Sequence, residues 1–189
     1  KAKDVVVFGC TVALRVSDLV NLSTANLRQA NGQYYLVVRS VKTATDTLIK
    51  LPEYAVAIIS KYNRPGSNKL LPLFTGSSLN DAIKTLLEKA GFDYRVAKKR
   101  ERRGKLVEIS PQHGNRHIYF RFCDLASTHL MRRTAITTML SLGMPETMVK
   151  KISGHAPGSK DFYRYVNWAQ AYLDSETDKA FEKLQAKRL

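Results

Sequence analysis

Apolar residues along the chain recur mostly with the period of a helix, and only two stretches alternate as strands do. Residues 34–41 and 47–51 alternate and are rich in β-branched side chains, which predicts two antiparallel strands joined by a turn at 42–46. Helices are predicted over the remaining apolar segments: residues 4–13, 17–22, 53–62, 78–90, 124–142, 145–152 and 162–184. The predicted fold class is α+β, mainly α, with a small antiparallel β-sheet.

Three segments leave alternatives open at this point. The valine-rich start of segment 4–13 is also compatible with a strand, and segment 162–184 forms either one helix or a broken one. Between residues 92 and 124 the pattern is mixed. Two short apolar runs there, 106–109 and 118–122, are expected to pair with each other.

Basic residues outnumber acidic ones by almost two to one. The 189 residues include 31 Lys and Arg against 16 Asp and Glu, a formal net charge of +15, and a polyanion is the leading partner for such a chain. The excess is densest at residues 98–105, which form either a solvated loop or a contact to phosphates. We favour the phosphate contact because acids do not balance the run. Its candidate DNA-binding residues are Lys98, Lys99, Arg100, Arg102, Arg103 and Lys105.

Composition also excludes several classes of protein. The only cysteines, Cys10 and Cys123, provide neither a disulfide framework nor a Cys-based zinc site, and such usage is typical of a reducing cytosol. His113 and His117 form a pair with no third ligand nearby, so we interpret them as part of a basic, DNA-facing segment. The longest apolar run, residues 5–14, is too short to span a bilayer. We expect no metal and no cofactor.

Four short segments carry the candidate chemistry. They are ALRVSDL at 13–19, HLMRRTA at 129–135, SGH at 153–155 and FYRYV at 162–166. Together they resemble the catalytic domain of the tyrosine recombinases, or phage integrase family. The pattern of that family is G-L-R-[IV]-S-E-L, a hairpin Lys, H-x-x-R, G-H and then a Tyr. The resemblance covers nearly the whole chain, is greatest to integrases of mobile elements in the Bacteroides group, and implies the tyrosine-recombinase catalytic fold.

The resemblance implies a site that cuts DNA at one phosphate. The guanidiniums of Arg15 and Arg132 would neutralise the phosphorane, because each is planar, permanently charged and matched to phosphate oxygens. His129 would be the general base for the tyrosine, and His155 would donate a hydrogen bond to a phosphate oxygen. The implied catalytic set is Arg15, Lys42, His129, Arg132, His155 and Tyr165.

Two further charged residues, Asp18 and Arg133, lie close to the arginines in sequence. Asp18 stands where the family has Glu and is expected to orient Arg15, although these two residues could also form a simple surface ion pair. Arg133 points about 100° away from Arg132 on a helix, so only Arg132 shares a face with His129. Arg133 is therefore expected to contact DNA or to pack locally.

The leaving-group acid and the nucleophile each have a competitor. By resemblance, Lys42 at the predicted hairpin turn would protonate the leaving 5′ oxygen. Alternatively, Lys42 is only a solvated turn lysine, or Lys50 on the facing strand donates this proton. Tyr163 and Tyr165 follow His155 by eight and ten residues, so spacing does not decide between them. The arginine before Tyr165 and the aliphatic residue after it match the family, which favours Tyr165; Tyr163 would then pack or contact the DNA backbone.

The resemblance predicts a site-specific DNA recombinase that cleaves and rejoins strands through a 3′-phosphotyrosine, for integration or excision of a mobile element. Two alternatives are a non-catalytic DNA-binding module, such as a helix-turn-helix regulator, and a type IB topoisomerase-like enzyme that relaxes supercoils. A regulator has no reason to keep a nucleophile with a phosphate clamp, so the motif set favours the enzyme.

Domain organisation and partners follow from the same resemblance. Residues 1–189 are expected to form one catalytic domain. Because the chain begins at Lys1, we expect it to be a fragment of a longer protein that lacks the N-terminal DNA-binding domain. Such a fragment is expected to be weakly active or inactive alone. The tail at 166–189 packs on its own domain or is exchanged between protomers. The expected partners are double-stranded DNA and further copies in a tetramer, without membrane or small-molecule cofactor. The expected location is the bacterial cytoplasm, at the nucleoid.

Overall fold

The computed structural model describes residues 1–41, 45–109, 112–113, 116–117, 119–156 and 158–186. Contacts divide the chain into two compact units. The larger unit contains Asp4–Leu73 and His129–Leu189, and the smaller unit contains Lys1–Lys3 and Phe74–Thr128. None of the described helices combines the length and the apolar character that crossing a membrane requires.

Helices dominate the described part, and the strands form small antiparallel sheets, which confirms the predicted fold class. The helices are α1 (Ala2–Val12), α2 (Val16–Leu19), α3 (Glu53–Tyr62), α4 (Gly76–Lys89), α5 (Phe122–Leu125), α6 (His129–Ser141), α7 (Glu146–Ser153) and α8 (Lys160–Ala186). The strands are β1 (Leu27–Ala30), β2 (Gln33–Arg39), β3 (Asp46–Lys50), β4 (Arg95–Val96), β5 (Lys98–Arg102), β6 (Lys105–Ile109), β7 (Gln112–His113), β8 (Arg116–His117) and β9 (Phe120–Arg121). The valine-rich start of the chain is helix α1, and α8 is continuous.

A three-stranded antiparallel sheet of order β1-β2-β3 lies in the larger unit. Strands β2 and β3 confirm the predicted pair to within two residues. The alternation has the expected cause, because Leu36, Val38 and Ile49 are buried on one face of the sheet. Strand β1 was not predicted, since its sequence LRQA has no apolar alternation and is recruited through pairing such as Leu27 with Leu36.

Helices α6, α7 and α8 pack together in the larger unit. They share a cluster of buried side chains that includes Ile136, Leu140, Val149 and Phe162. Burying one such side chain stabilises the folded state by about 1.5–3 kcal/mol, so this cluster holds the three helices in a fixed arrangement. In α6, the helix that carries the H-x-x-R motif, Ala135, Ile136 and Leu140 are buried.

Helix α1 packs closely against α6 at a glycine. A Cβ atom built on Gly9 would lie 2.6 Å from the Sδ atom of Met131 and 3.2 Å from Cδ2 of Leu19, so no larger side chain fits without movement. Just after α1, Ala13 has a φ of 55°, which costs about 1–2 kcal/mol for a residue with a Cβ atom. This turn lies two residues before Arg15.

The prediction of one helix over residues 124–142 is wrong. The chain leaves the helical conformation at Ala126, with φ −70° and ψ 143°, and forms the separate helices α5 and α6. The backbone N–H of Thr128 donates to Oδ1 of Asn80 at 2.8 Å, which satisfies a donor outside any helical ladder. As a result, His129 stands on the first turn of α6.

The predicted pairing of residues 106–109 with 118–122 is also wrong. Strand β6 pairs with β5, and β9 pairs with β4. Arg103 and Gly104 form the turn of the β5–β6 hairpin with φ values of 50° and 74°, the left-handed geometry that suits a two-residue hairpin turn. The basic run at 98–105 is therefore part of a hairpin rather than a loop. Sequence pattern did not reveal it because all five residues of β5 are exposed, so neither face needs to be apolar.

Candidate active site

A hydroxyl at the end of β2 holds the side chain of Arg15. Its Nη1 atom donates to Oγ of the buried Ser40 at 2.9 Å. The next backbone N–H, that of Val41, donates to Oδ1 of the buried Asp18 at 3.2 Å. Asp18 therefore anchors the segment that holds Arg15. Its expected orienting effect on Arg15 stays a prediction, and this segment provides a route for it.

Arg132 and Arg133 lie in opposite environments, as their separation on a helix predicts. Arg132 is only 5% exposed, whereas Arg133 is exposed. The Nη1 atom of Arg132 donates to the carbonyl oxygen of Ala13 at 2.7 Å. Burial, and then the charge of Arg15, lowers the pKa of Arg132 to about 10, which still leaves a cation at neutral pH. The two guanidiniums repel each other, and a bound anion would relieve that repulsion.

Ser153 fixes the proton on the ring of His155. The Ser153 hydroxyl donates to the carbonyl oxygen of Val149 at 2.6 Å, so its single proton is already used. It lies 2.7 Å from Nδ1 of His155 and must accept the proton that Nδ1 carries. The Nη2 atom of Arg132 lies 3.3 Å from Nδ1 and 3.2 Å from Nε2, so the guanidinium contacts both nitrogens of the ring. The neutral ring is therefore held as the Nδ1–H tautomer.

Burial and the surrounding positive charges keep the ring of His155 neutral. Burial is the main cause that lowers its pKa to about 4, and the positive charges of Arg132, Arg15 and Lys150 act in the same direction. Asp161 opposes them. Near pH 7 the free chain therefore presents a neutral imidazole at this position.

Gly154 makes the turn that brings His155 to the site. It ends α7 with a φ of 64°, a conformation that glycine adopts without strain. A Cβ atom here would lie 3.3 Å from Cγ2 of Thr47 on β3 and 3.9 Å from Nη1 of Arg15. Glycine is thus required both for the turn and for the close approach to the residues beside it.

Tyr165 reaches the site and Tyr163 does not. Tyr165 is 5% exposed, with its hydroxyl 3.4 Å from Nε2 of His129 and within hydrogen-bonding reach of Arg132. Tyr163 is 47% exposed, and the ammonium of Lys150 lies 4.8 Å from the centre of its ring. This difference in burial separates two tyrosines that spacing along the sequence could not.

His129 is suited to accept the tyrosine proton. Burial lowers its pKa, and the charges of Arg132 and Arg133 lower it further, with an opposing effect from Asp161. The ring is therefore neutral at pH 7 and has a nitrogen lone pair for the proton.

The described contacts of this cluster include none of the remaining predicted residues. Lys42 lies outside the described residues, as do the side chains of His113 and His117. The competitor Lys50 is exposed on β3. The cations of the basic run stand on the β5–β6 hairpin of the smaller unit, all of them exposed. Their roles stay predictions.

Three contributors to the site were missed at the level of sequence. Ser153 carried a signal, because a serine near a helix end often bonds the carbonyl four residues back. Ser40 and the carbonyl group of Ala13 carried none, since any residue supplies a backbone oxygen and many serines lie in turns. Only the packing of the chain shows that these groups hold the two arginines.

The cluster has the parts that phosphoryl transfer requires. The guanidiniums of Arg15 and Arg132 can supply charge and hydrogen bonds to an anion, His155 lies against Arg132, and Tyr165 holds a hydroxyl 3.4 Å from Nε2 of His129. All of these residues belong to the larger unit. In the described part of the chain, no group of three or more His, Cys, Asp or Glu residues is placed to hold a metal ion.

Solved recombinase structures share this fold. One of them is XerH site-specific recombinase, in a post-cleavage complex with palindromic difH substrate. It is 12% identical to this chain with a TM-score of 0.56, and the match covers 100% of this chain and 46% of XerH. Tn1549 transposon integrase, in complex with a circular intermediate DNA, is 18% identical to this chain with a TM-score of 0.54. The match covers 87% of this chain and 52% of the integrase. XerA recombinase is 17% identical to this chain with a TM-score of 0.52, and the match covers 87% of this chain and 61% of XerA.

These similarities show that the chain has the catalytic-domain fold of the tyrosine recombinases, as the motifs predicted. The chain spans between 46% and 61% of the length of the three proteins. No protein-family model matches the chain, and no curated protein matches it either. At 12% to 18% identity, the similarity establishes the fold alone.

Proposed function

We propose that the chain is the catalytic part of a site-specific DNA recombinase that breaks and rejoins strands through a 3′-phosphotyrosine. One observation carries the proposal: the buried Tyr165 hydroxyl lies 3.4 Å from His129 and beside the Arg132–His155 pair, in a fold used by recombinases. A buried nucleophile next to a neutral base and a cationic clamp suits attack on an anionic phosphodiester. A DNA-binding regulator requires none of these groups.

In the proposed reaction, the Tyr165 oxygen attacks the scissile phosphorus and the bond from phosphorus to the 5′ oxygen breaks. The tyrosine proton passes to His129, and the 5′ oxygen leaves as a hydroxyl with a proton from Lys42. Arg15, Arg132 and His155 bind the non-bridging oxygens. Attack by a 5′-hydroxyl of a partner strand then reverses the same bond changes, so the bond energy is retained without ATP.

The biological setting is also a proposal. Arg133 and the basic β5–β6 hairpin would contact the DNA backbone, while Asp18 would position Arg15. Integration or excision of a mobile element, in a tetramer on DNA in the bacterial cytoplasm, fits the sequence motifs. The XerH structure is bound to palindromic difH substrate and the Tn1549 integrase structure to a circular intermediate DNA, which supports DNA as the partner. The tail after Tyr165 belongs to α8 and would either pack within its own protomer or be exchanged.

Covalent trapping tests the proposed chemistry with a matched pair of variants. The chain is incubated with a pool of nicked duplexes of randomised sequence. In such a duplex, cleavage near the nick releases the short fragment that carries the 5′-hydroxyl, so the phosphotyrosyl ester remains trapped. We expect a protein–DNA adduct on a denaturing gel, with the DNA on the peptide that contains Tyr165 by mass spectrometry. Tyr165→Phe should abolish the adduct, and Tyr163→Phe should retain it.

Two outcomes would contradict the proposal. An adduct that survives Tyr165→Phe and disappears with Tyr163→Phe would place the nucleophile elsewhere. No adduct with any DNA, under conditions where the chain binds duplex, would favour a non-catalytic binding module. Relaxation of supercoiled plasmid in parallel, without strand exchange, would instead favour the topoisomerase-like activity.

A further inference from the structure

The β5–β6 hairpin separates its charges by face. In an antiparallel pair, residues opposite each other point to the same face, and neighbours along a strand point to opposite faces. The register places Lys98 opposite Ile109, Arg100 opposite Val107 and Arg102 opposite Lys105. One face, called the basic face below, therefore carries four cations and no acid: Lys98, Arg100, Arg102 and Lys105. The opposite face carries Lys99, Glu101 and Glu108.

The two faces differ in how their charges are compensated. On the opposite face, Lys99 is paired directly across the strands with Glu108, which is a favourable contact. On the basic face, Arg102 is paired directly with Lys105, and like charges in this position destabilise a hairpin. The opposite face thus places its one cation across from an acid and has an excess of acids, whereas the four cations of the basic face repel one another until an anion binds.

Folding of the hairpin does not require this arrangement. Every residue of β5 is exposed, and Val107 on β6 is 44% exposed, so packing places little constraint on the side chains of the basic face. At the tip, Arg103 has a φ of 50°, a position where Asn, Asp or Gly is less strained. A further cation is therefore retained at the tip despite a cost of about 1–2 kcal/mol. Only Lys98 has a close aromatic neighbour among the described contacts of the basic face, with its ammonium 5.1 Å from the centre of the Phe120 ring.

We propose that the β5–β6 hairpin is a DNA-binding ribbon whose basic face lies on the phosphates of duplex DNA, while the opposite face stays in solvent. A two-stranded ribbon fits the major groove of B-DNA, which is about 12 Å wide, with phosphates along both sides. This proposal rests on DNA as the partner in the proposed function. It divides the basic run, because Arg100 and Arg102 contact phosphates and the adjacent Lys99 does not.

Salt-dependent binding of a labelled duplex to the full chain tests this division. Arg100→Gln and Lys99→Gln remove one charge each from adjacent residues on opposite faces, so they form a matched pair. We expect Arg100→Gln to reduce the slope of log affinity against log salt by about 0.9, and the Arg100→Gln, Arg102→Gln double variant by about 1.8. Lys99→Gln should leave the slope unchanged, and changing both arginines to Lys should keep the wild-type slope.

A second variant separates facial charge from total charge. The double variant Glu101→Gln, Glu108→Gln makes the chain more positive on the opposite face, and we expect no tighter binding. Equal effects of Arg100→Gln and Lys99→Gln, or tighter binding of the Glu double variant, would overturn the proposal in favour of diffuse attraction. Thermal melts of each variant check that the chain is folded.

The two proposals fail in different ways. If hairpin variants bind DNA as the wild type does but the Tyr165 adduct forms, the ribbon is wrong and the recombinase chemistry stands. If the slopes divide by face but no adduct forms, the ribbon stands and the chemistry is wrong.

Discussion

At the scale of single residues, the position of one proton on His155 decides how this ring can contact a phosphate. Because Ser153 accepts the Nδ1 proton, the neutral ring has only a lone pair on Nε2, and Nη2 of Arg132 lies 3.2 Å from that atom. Donation from Nε2 to a phosphate oxygen therefore requires a second proton. Burial and the neighbouring cations lower the pKa of His155 to about 4 in the free chain, so in the proposed function the ring would take up this proton as the phosphate binds.

This proton uptake predicts a particular pH profile for adduct formation. In the wild type, the rate should fall at high pH because the cationic ring of His155 is lost. In Ser153→Ala, Nδ1 loses its acceptor, so a neutral ring can carry its proton on Nε2 and the fall at high pH should be severalfold smaller. Both proteins should lose activity as His129 becomes protonated, at a pH below about 6.5, because its pKa is lowered.

The control for this experiment is Thr137→Ala. Thr137 also donates to a carbonyl four residues back, that of Arg133 at 2.9 Å, but its described hydrogen bonds stay within its own helix, so the variant should leave the profile unchanged. An unchanged high-pH fall in Ser153→Ala would show that Ser153 does not set the protonation of His155.

At the scale of elements, close packing of α1 on α6 brings the two arginines together. Gly9 permits the contact with Met131, and the turn at Ala13 then offers its carbonyl oxygen to Arg132. Arg15 follows two residues later and is fastened to the end of β2 through Ser40. One helix contact thus positions both guanidiniums of the clamp.

We expect Gly9→Ala to destabilise the fold and to disturb the clamp. The new methyl group would overlap Met131 at a cost of about 1–3 kcal/mol, and the better helix propensity of alanine returns only about 1 kcal/mol. Chemical denaturation measures the change, and adduct formation should fall in parallel.

Gly76 on α4 provides the matched control. A Cβ atom there meets nothing within 4 Å, so Gly76→Ala should leave stability unchanged or raise it slightly. Equal stability of Gly9→Ala and the wild type would show that the α1–α6 contact is loose.

At the scale of the whole molecule, the net charge of +15 has two uses. In the proposed function, Arg15 and Arg132 are directed at one phosphate and take part in chemistry, while exposed cations such as those of the basic face hold the duplex. Contacts of the second kind release counterions and carry no sequence information by themselves. Binding by this chain should therefore be weak and strongly dependent on salt.

Titration of a labelled duplex measures this dependence. With four phosphate contacts from the basic face, affinity should fall on the order of 100-fold or more between 50 and 200 mM salt. Tight binding that ignores salt would contradict the expectation and would indicate recognition dominated by other contacts. A non-basic protein of similar size, titrated under the same conditions, serves as the control.

Sequence reasoning succeeded where a local pattern has a local cause. Alternation placed β2 and β3, and helical period placed α3, α6 and α8, because apolar spacing shows which face of an element is buried. It failed at strand β1 and at the β5–β6 hairpin, whose exposed residues carry no apolar pattern. It failed again at residues 126–128, where Asn80, distant in sequence, satisfies a backbone donor.

The sequence by itself determined the fold class, the excess of positive charge and the candidate residues for the proposed chemistry, because these depend on residue type and spacing. Tertiary structure decided which of those residues meet. It buried Tyr165 beside His129 and left Tyr163 exposed, it separated Arg132 from Arg133, and it set the proton on His155 through Ser153. The physical reason is that burial and side-chain contact depend on how separate elements pack, as in the contact of Tyr165 with His129 or of Arg132 with Ala13, and no local pattern encodes that packing.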